Sequence, residues 1–94
     1  MTSWGEHQPK WKARVDAIRQ ILLVEWDPIG GGGGHVPEDE YDGYIPVIYR
    51  MMQEGVGVKA LASHLGQIES ERIGVRPVRK RNLRVAEALM ALMQ

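Results

Sequence analysis

Five consecutive glycines at residues 30–34 follow directly on Asp27-Pro28-Ile29, and no regular element continues through such a stretch. Pro28 disfavours helical geometry at Asp27. The glycine run has the largest backbone entropy a chain can carry, and it reads as a loop. The tract therefore divides the chain into one leading segment and one longer trailing segment, joined by an irregular connection over residues 27–41. Beyond the glycines comes Pro37-Glu38-Asp39-Glu40-Tyr41-Asp42-Gly43-Tyr44. Five carboxylates, one Trp and two Tyr are thus gathered around a hinge that does not need them in order to be flexible.

Outside the connection the dominant signal is helical period. Trp11, Val15, Ile18, Leu22 and Trp26 recur at three-to-four spacing, which predicts helix one over residues 9–25, with Pro9 in the first turn, where its missing N–H is not needed. Helix two is expected to start near Asp42, with Asp42 or Gly43 as N-cap. Ile45, Ile48, Met51 and Met52 share its face, and Gly55 stops it. Helix three follows over residues 58–73 on Val58, Leu61, Ala62, Leu65 and Ile68, with Gly74 as its stop. Gly66 inside it costs about 1 kcal/mol relative to Ala unless a neighbour needs the close approach. Helix four spans residues 77–93 with two apolar stripes, Val78, Val85, Leu89, Leu92 and Leu83, Ala86, Met90, Met93. It is therefore either central to the bundle or a flank offered to a second copy. No segment alternates as a strand does. The fold class is all-α: a compact four-helix bundle, one domain over residues 1–94, with a long glycine-rich connection between helices one and two and a flexible N-terminus over residues 1–8.

Composition excludes several chemistries. The 94 residues contain no Cys, which removes disulfides and thiolate catalysis and fits a reducing compartment. The longest apolar run is Ile21-Leu22-Leu23-Val24, far short of a membrane span. The first residues lack the apolar core of a secretory signal, so a cytoplasmic protein is expected. His7, His35 and His64 share no ligand spacing, and neither zinc nor any cofactor is indicated. The spacing of the acids matches no EF-hand loop. The glycine run is no phosphate loop, because no Lys-Ser or Lys-Thr follows it. No nucleophile sits in a signature context, and no catalytic residue is assigned.

Charge is divided unevenly. Residues 1–54 carry nine acids against five bases, and residues 55–94 carry seven bases against three acids, giving halves of −4 and +4. Two surfaces follow. Trp26, Asp27, Glu38, Asp39, Glu40, Tyr41, Asp42 and Tyr44 form an acidic-aromatic group suited to a protein partner with a basic surface. Read structurally, the same residues cap helix two, complement its dipole and tie down the end of helix one. Arg76, Arg79, Lys80, Arg81 and Arg84 form a basic cluster that could meet phosphates. The preceding Val58-Lys59-Ala60-Leu61-Ala62-Ser63-His64-Leu65-Gly66 has the cadence of a helix-turn-helix with Gly66 as the turn. Glu69 and Glu71 oppose that reading, as does helical period running through Gly66. The function expected is a small non-enzymatic protein-binding module; the alternative is a nucleic-acid-binding regulator working through the basic cluster.

The order Leu22-Leu23, Trp26-Asp27-Pro28-Ile29-Gly30, Asp39-Glu40-Tyr41-Asp42-Gly43-Tyr44, Ile68-Glu69 and Gly74 resembles a family of small uncharacterised bacterial helical domains. Its members carry a WDPIG-type turn and a DEYD-type segment. The resemblance covers roughly residues 15–92. It implies a compact α-helical domain without established enzyme activity and, by association with relatives that sometimes lie beside toxin genes, an immunity-like or inhibitory role. The glycine run departs from the family pattern, where a bulkier residue follows Gly30.

Overall fold

The computed structural model describes residues 10–29 and 36–94, so the expectations for residues 1–9 and for the glycine tract lie outside the described residues. Among those described the chain forms four helical segments and no strand, an all-α bundle. Helix one consists of α1 (Lys10–Gln20) running straight into a π-helical turn (Ile21–Trp26). A 3₁₀ turn (Asp42–Tyr44) leads into α2 (Ile45–Glu54). Helix three repeats the form of helix one, with α3 (Val58–Gln67) extended by a π-helical turn (Ile68–Ile73). α4 covers Arg79–Ala91.

Stop signals end the helices where the sequence places them. Gly55, at φ 68°, donates to Met52, and Val56 donates back to Met51, the paired closure that a left-handed glycine permits. Gly74, at φ 84°, and Val75 both donate to the Glu69 carbonyl at 2.8 Å. Helix one ends differently. Asp27 itself adopts the left-handed conformation, φ 34° and ψ 62°, and its N–H reaches the Leu22 carbonyl at 2.8 Å. Aspartate is one of the few non-glycine residues that tolerate this geometry.

Two expectations are corrected. Helix four begins at Arg79 rather than Pro77, because Val78 is extended (φ −111°, ψ 97°). Asp42 does not cap α2, since no side-chain cap forms there, and its carboxylate turns to Arg19 instead. Gly66 forms no turn: α3 passes through it unbroken, so the helix-turn-helix cadence has no counterpart.

The core gathers Ile18, Leu22 and Trp26 from helix one, Ile45, Ile48 and Met52 from α2, Leu61, Leu65 and Ile68 from helix three, and Val85, Ala86 and Leu89 from α4. α4 packs most extensively on α3 and next on the π turn of helix one. Its second stripe, Leu83, Met90 and Met93, is half-buried against that core. Helix four is therefore central.

Candidate functional site

The connection is fastened to the core by its aromatic residues. Trp26 is fully buried and Tyr41 is 2% exposed. Their rings meet edge to face at 5.3 Å between centroids, and Tyr44 approaches Trp26 likewise at 6.3 Å, the arrangement aromatic quadrupoles favour. The Tyr41 hydroxyl donates to the Asp27 carboxylate at 3.0 Å and accepts the Ile29 N–H at 3.3 Å. One phenol thus ties the residues before the glycine run to those after it. Burial, together with the nearby Asp27 carboxylate, pushes the Tyr41 phenol up to about 12. Asp42 lies against Arg19, whose Nε and Nη2 reach its two oxygens at 2.9 and 3.0 Å; Asp16 takes Nη1 at 3.0 Å.

The eight residues expected to form one partner surface therefore separate. Trp26, Tyr41 and Asp27 are buried, Asp42 and Tyr44 are half-buried, and Glu38, Asp39 and Glu40 are exposed. The three exposed acids occupy a turn closed by Glu40 N–H to the Pro37 carbonyl at 3.0 Å and Asp42 N–H to the Asp39 carbonyl at 3.1 Å. Among the described residues none of the three carboxylates enters an ion pair. Ile29, 47% exposed on the other strand of the connection, presents an apolar side chain that the sequence reading did not single out.

A second polar group lies deeper. The Trp26 indole N–H donates to the Asn82 side-chain oxygen at 3.1 Å. The Asn82 amide donates to one oxygen of Glu69 at 2.5 Å, and Arg81 donates to the other at 2.6 Å. Glu69 is fully buried and Asn82 is 2% exposed. A buried carboxylate persists only when both oxygens are satisfied, and here one neutral and one cationic donor satisfy them. Glu69 thus faces inward, not toward any ligand of the basic cluster. The signal was present in the sequence: Asn82 falls in step with Val85, Ala86 and Leu89, and Glu69 with Ala62 and Leu65, so both polar residues sit on core-facing stripes.

Of the basic cluster, Arg81 is occupied by Glu69, whereas Arg76, Arg79, Lys80 and Arg84 are exposed. Among the described residues no group of three or more His, Asp or Glu side chains is placed to hold a metal ion, and no helix is long and apolar enough to cross a membrane. His64, half-buried on α3, has its pKa lowered by burial. The chain matches no protein-family model, no curated protein and no solved structure.

Proposed function

We propose that the chain is a small non-enzymatic protein-binding module that engages a basic partner surface through the acidic turn Glu38-Asp39-Glu40, in the manner of an inhibitor or immunity-like protein. The observation that carries this reading is a fixed turn bearing exposed carboxylates that enter no ion pair among the described residues. Its backbone is held by turn hydrogen bonds and by the buried Tyr41 that follows, so little conformational entropy remains to be lost on binding. Exposed like charges of this density steer a cationic partner and select against acidic ones. Trp26 and Tyr41 serve as the foundation of the turn rather than as contacts, and Ile29 supplies apolar area beside it. The immunity-like part of the proposal rests on the resemblance of residues 15–92 alone, which no family model matches.

The test is affinity capture from the native host, followed by direct titration of the recovered protein. Wild type is compared with Asp39→Lys/Glu40→Lys. Both side chains are exposed, so the variant retains its helical spectrum, and partner recovery is lost. Unchanged recovery by the folded variant overturns the proposal. Nucleic-acid binding is the second reading, favoured by the exposure of Arg76, Arg79, Lys80 and Arg84. It requires binding that is strongest at low salt.

A further inference from the structure

Between α3 and the opening turn of α4 lies a groove of about 340 Å³, with Lys59, Ser63 and Gln67 on one wall and Arg79 on the other. No carboxylate lines it. Glu69, which belongs to the same helix as the first wall, is turned inward to Asn82 and Arg81. Among the described residues neither Lys59 nor Arg79 forms an ion pair. In a chain with as many acids as bases, two unpaired cations facing one concavity from different helices form a local excess of positive charge.

The start of α4 deepens that excess. Its first turn holds Arg79, Lys80 and Arg81, no acid and no side-chain cap, so positive charge lies on the positive end of the helix dipole. Glu69 offsets Arg81 alone. An anion in the groove would offset Arg79 as well.

We propose that this groove binds a phosphate monoester, with the dianion between Lys59 and Arg79 and with Ser63 and Gln67 as neutral donors. The charge of the dianion matches the two cations, and its three terminal oxygens are spread tetrahedrally, so they face both walls as the two coplanar oxygens of a singly charged carboxylate do not. A guanidinium and an ammonium on opposite walls suit this anion, the first by its planar fork and the second as a point charge. A nucleic-acid strand is less well served, because the groove has no aromatic ring on which a base could stack. The ester is either a free small molecule or a phosphorylated side chain of a partner, and the two share this chemistry.

The experiment is an NMR titration of the ¹⁵N-labelled full chain near neutral pH and at constant ionic strength. The probes are inorganic phosphate, chloride, a phosphoserine peptide and its glutamate counterpart. Saturable shifts are expected at Lys59, Ser63, Gly66 and Arg79 with phosphate but not with chloride. Lys59→Ala and Arg79→Ala should each weaken binding about tenfold, whereas Arg50→Ala, exposed on α2 and outside the groove, should not. Lys59→Gln serves as the second variant should Lys59→Ala fail to fold. Tighter binding of the phosphopeptide than of phosphate assigns the source to a modified partner, and the reverse assigns it to a free ester; both support the proposal. Shifts that never saturate, equal binding of the glutamate peptide, or displacement of phosphate by single-stranded DNA through Lys80 and Arg84 would each overturn it.

Discussion

Replacing Asn82 by Ala removes a side chain that joins helix one to helix three through α4. Two hydrogen bonds are lost together. The bond from the Trp26 indole, at 3.1 Å, is neutral and contributes about 1 kcal/mol net; the bond to the Glu69 carboxylate, at 2.5 Å, is charge-assisted and contributes about 1.5–3 kcal/mol. Trp26 is fully buried, so its abandoned N–H also carries a desolvation penalty of about 1–3 kcal/mol. Allowing for partial relaxation, a loss of roughly 3–5 kcal/mol is expected, a large share of the total stability of a domain this small. The thermal midpoint should fall by roughly 15–30 °C. Urea unfolding followed by far-ultraviolet circular dichroism measures the loss directly, with an unchanged m-value showing that the unfolded state is not responsible. Glu69→Gln on its own should cost less, since an amide oxygen still accepts from Asn82, and the double variant should lose less than the sum of the singles because the residues share one bond. A loss below about 1 kcal/mol for Asn82→Ala would refute the reasoning, since no accounting of an orphaned buried indole and a half-paired buried carboxylate yields so little.

Two further outcomes follow from the same geometry. The Tyr41 phenol, pushed up to about 12 by burial and Asp27, should remain protonated while an ordinary tyrosine ionises, and absorbance at alkaline pH will separate it. Its folded-state pKa lies above its unfolded value of about 10, so its contribution to stability is complete below that value and is lost as pH rises toward 12; a pH-midpoint profile of Tyr41→Phe that falls as steeply as wild type there would contradict this. Gly66→Ala should stabilise the domain by up to about 1 kcal/mol, the helix-propensity difference. The added methyl meets the Pro77 Cβ at 3.6 Å and the Asn82 amide nitrogen at 3.7 Å, both ordinary contacts; a lower urea midpoint would show that the α3–α4 approach is tighter than those distances.

The helices were legible because their apolar residues keep step and their ends carry Pro or Gly. The connection was less so. Acids and aromatics mixed in one loop give the same pattern whether the rings face a partner or the core, and nothing local distinguishes the two. What decided the matter was a distant residue: the indole of Trp26 finds Asn82, 56 positions further on, and so has somewhere to go inside the bundle. Asp42 misled for a similar reason. An acid at the start of a helix reads as a cap, but Arg19 of helix one, 23 residues earlier, takes its carboxylate first. The acids at 38–40 are exposed, and their separation from the buried aromatics depends on packing that the sequence pattern does not encode.

The π-helical turn that ends helix one explains how Trp26 reaches α4. In helix one Ile18, Leu22 and Trp26 are all fully buried although each lies four residues from the last; in helix three Leu61, Leu65 and Glu69 repeat that interval and that burial. In an α-helix of 3.6 residues per turn, each step of four overshoots a full turn by about 40°, so a third residue would drift off the core face. In helix one the widened last turn takes up the excess between Leu22 and Trp26, through the Asp27 N–H that spans five residues back to Leu22; in helix three the matching bond, from Gly74 N–H five residues back to Glu69, widens the turn that follows Glu69. Trp26 is thereby kept inward at the end of one π turn, Glu69 lies near the start of the other, and Asn82 of α4 stands between them, accepting from one and donating to the other. The same turn that seats Trp26 sets the exit of the chain at Asp27, where Tyr41 fastens the far side of the connection. The exposed acids are thus held, through Tyr41, Trp26 and Asn82, on the buried polar contacts of Asp27 and Glu69.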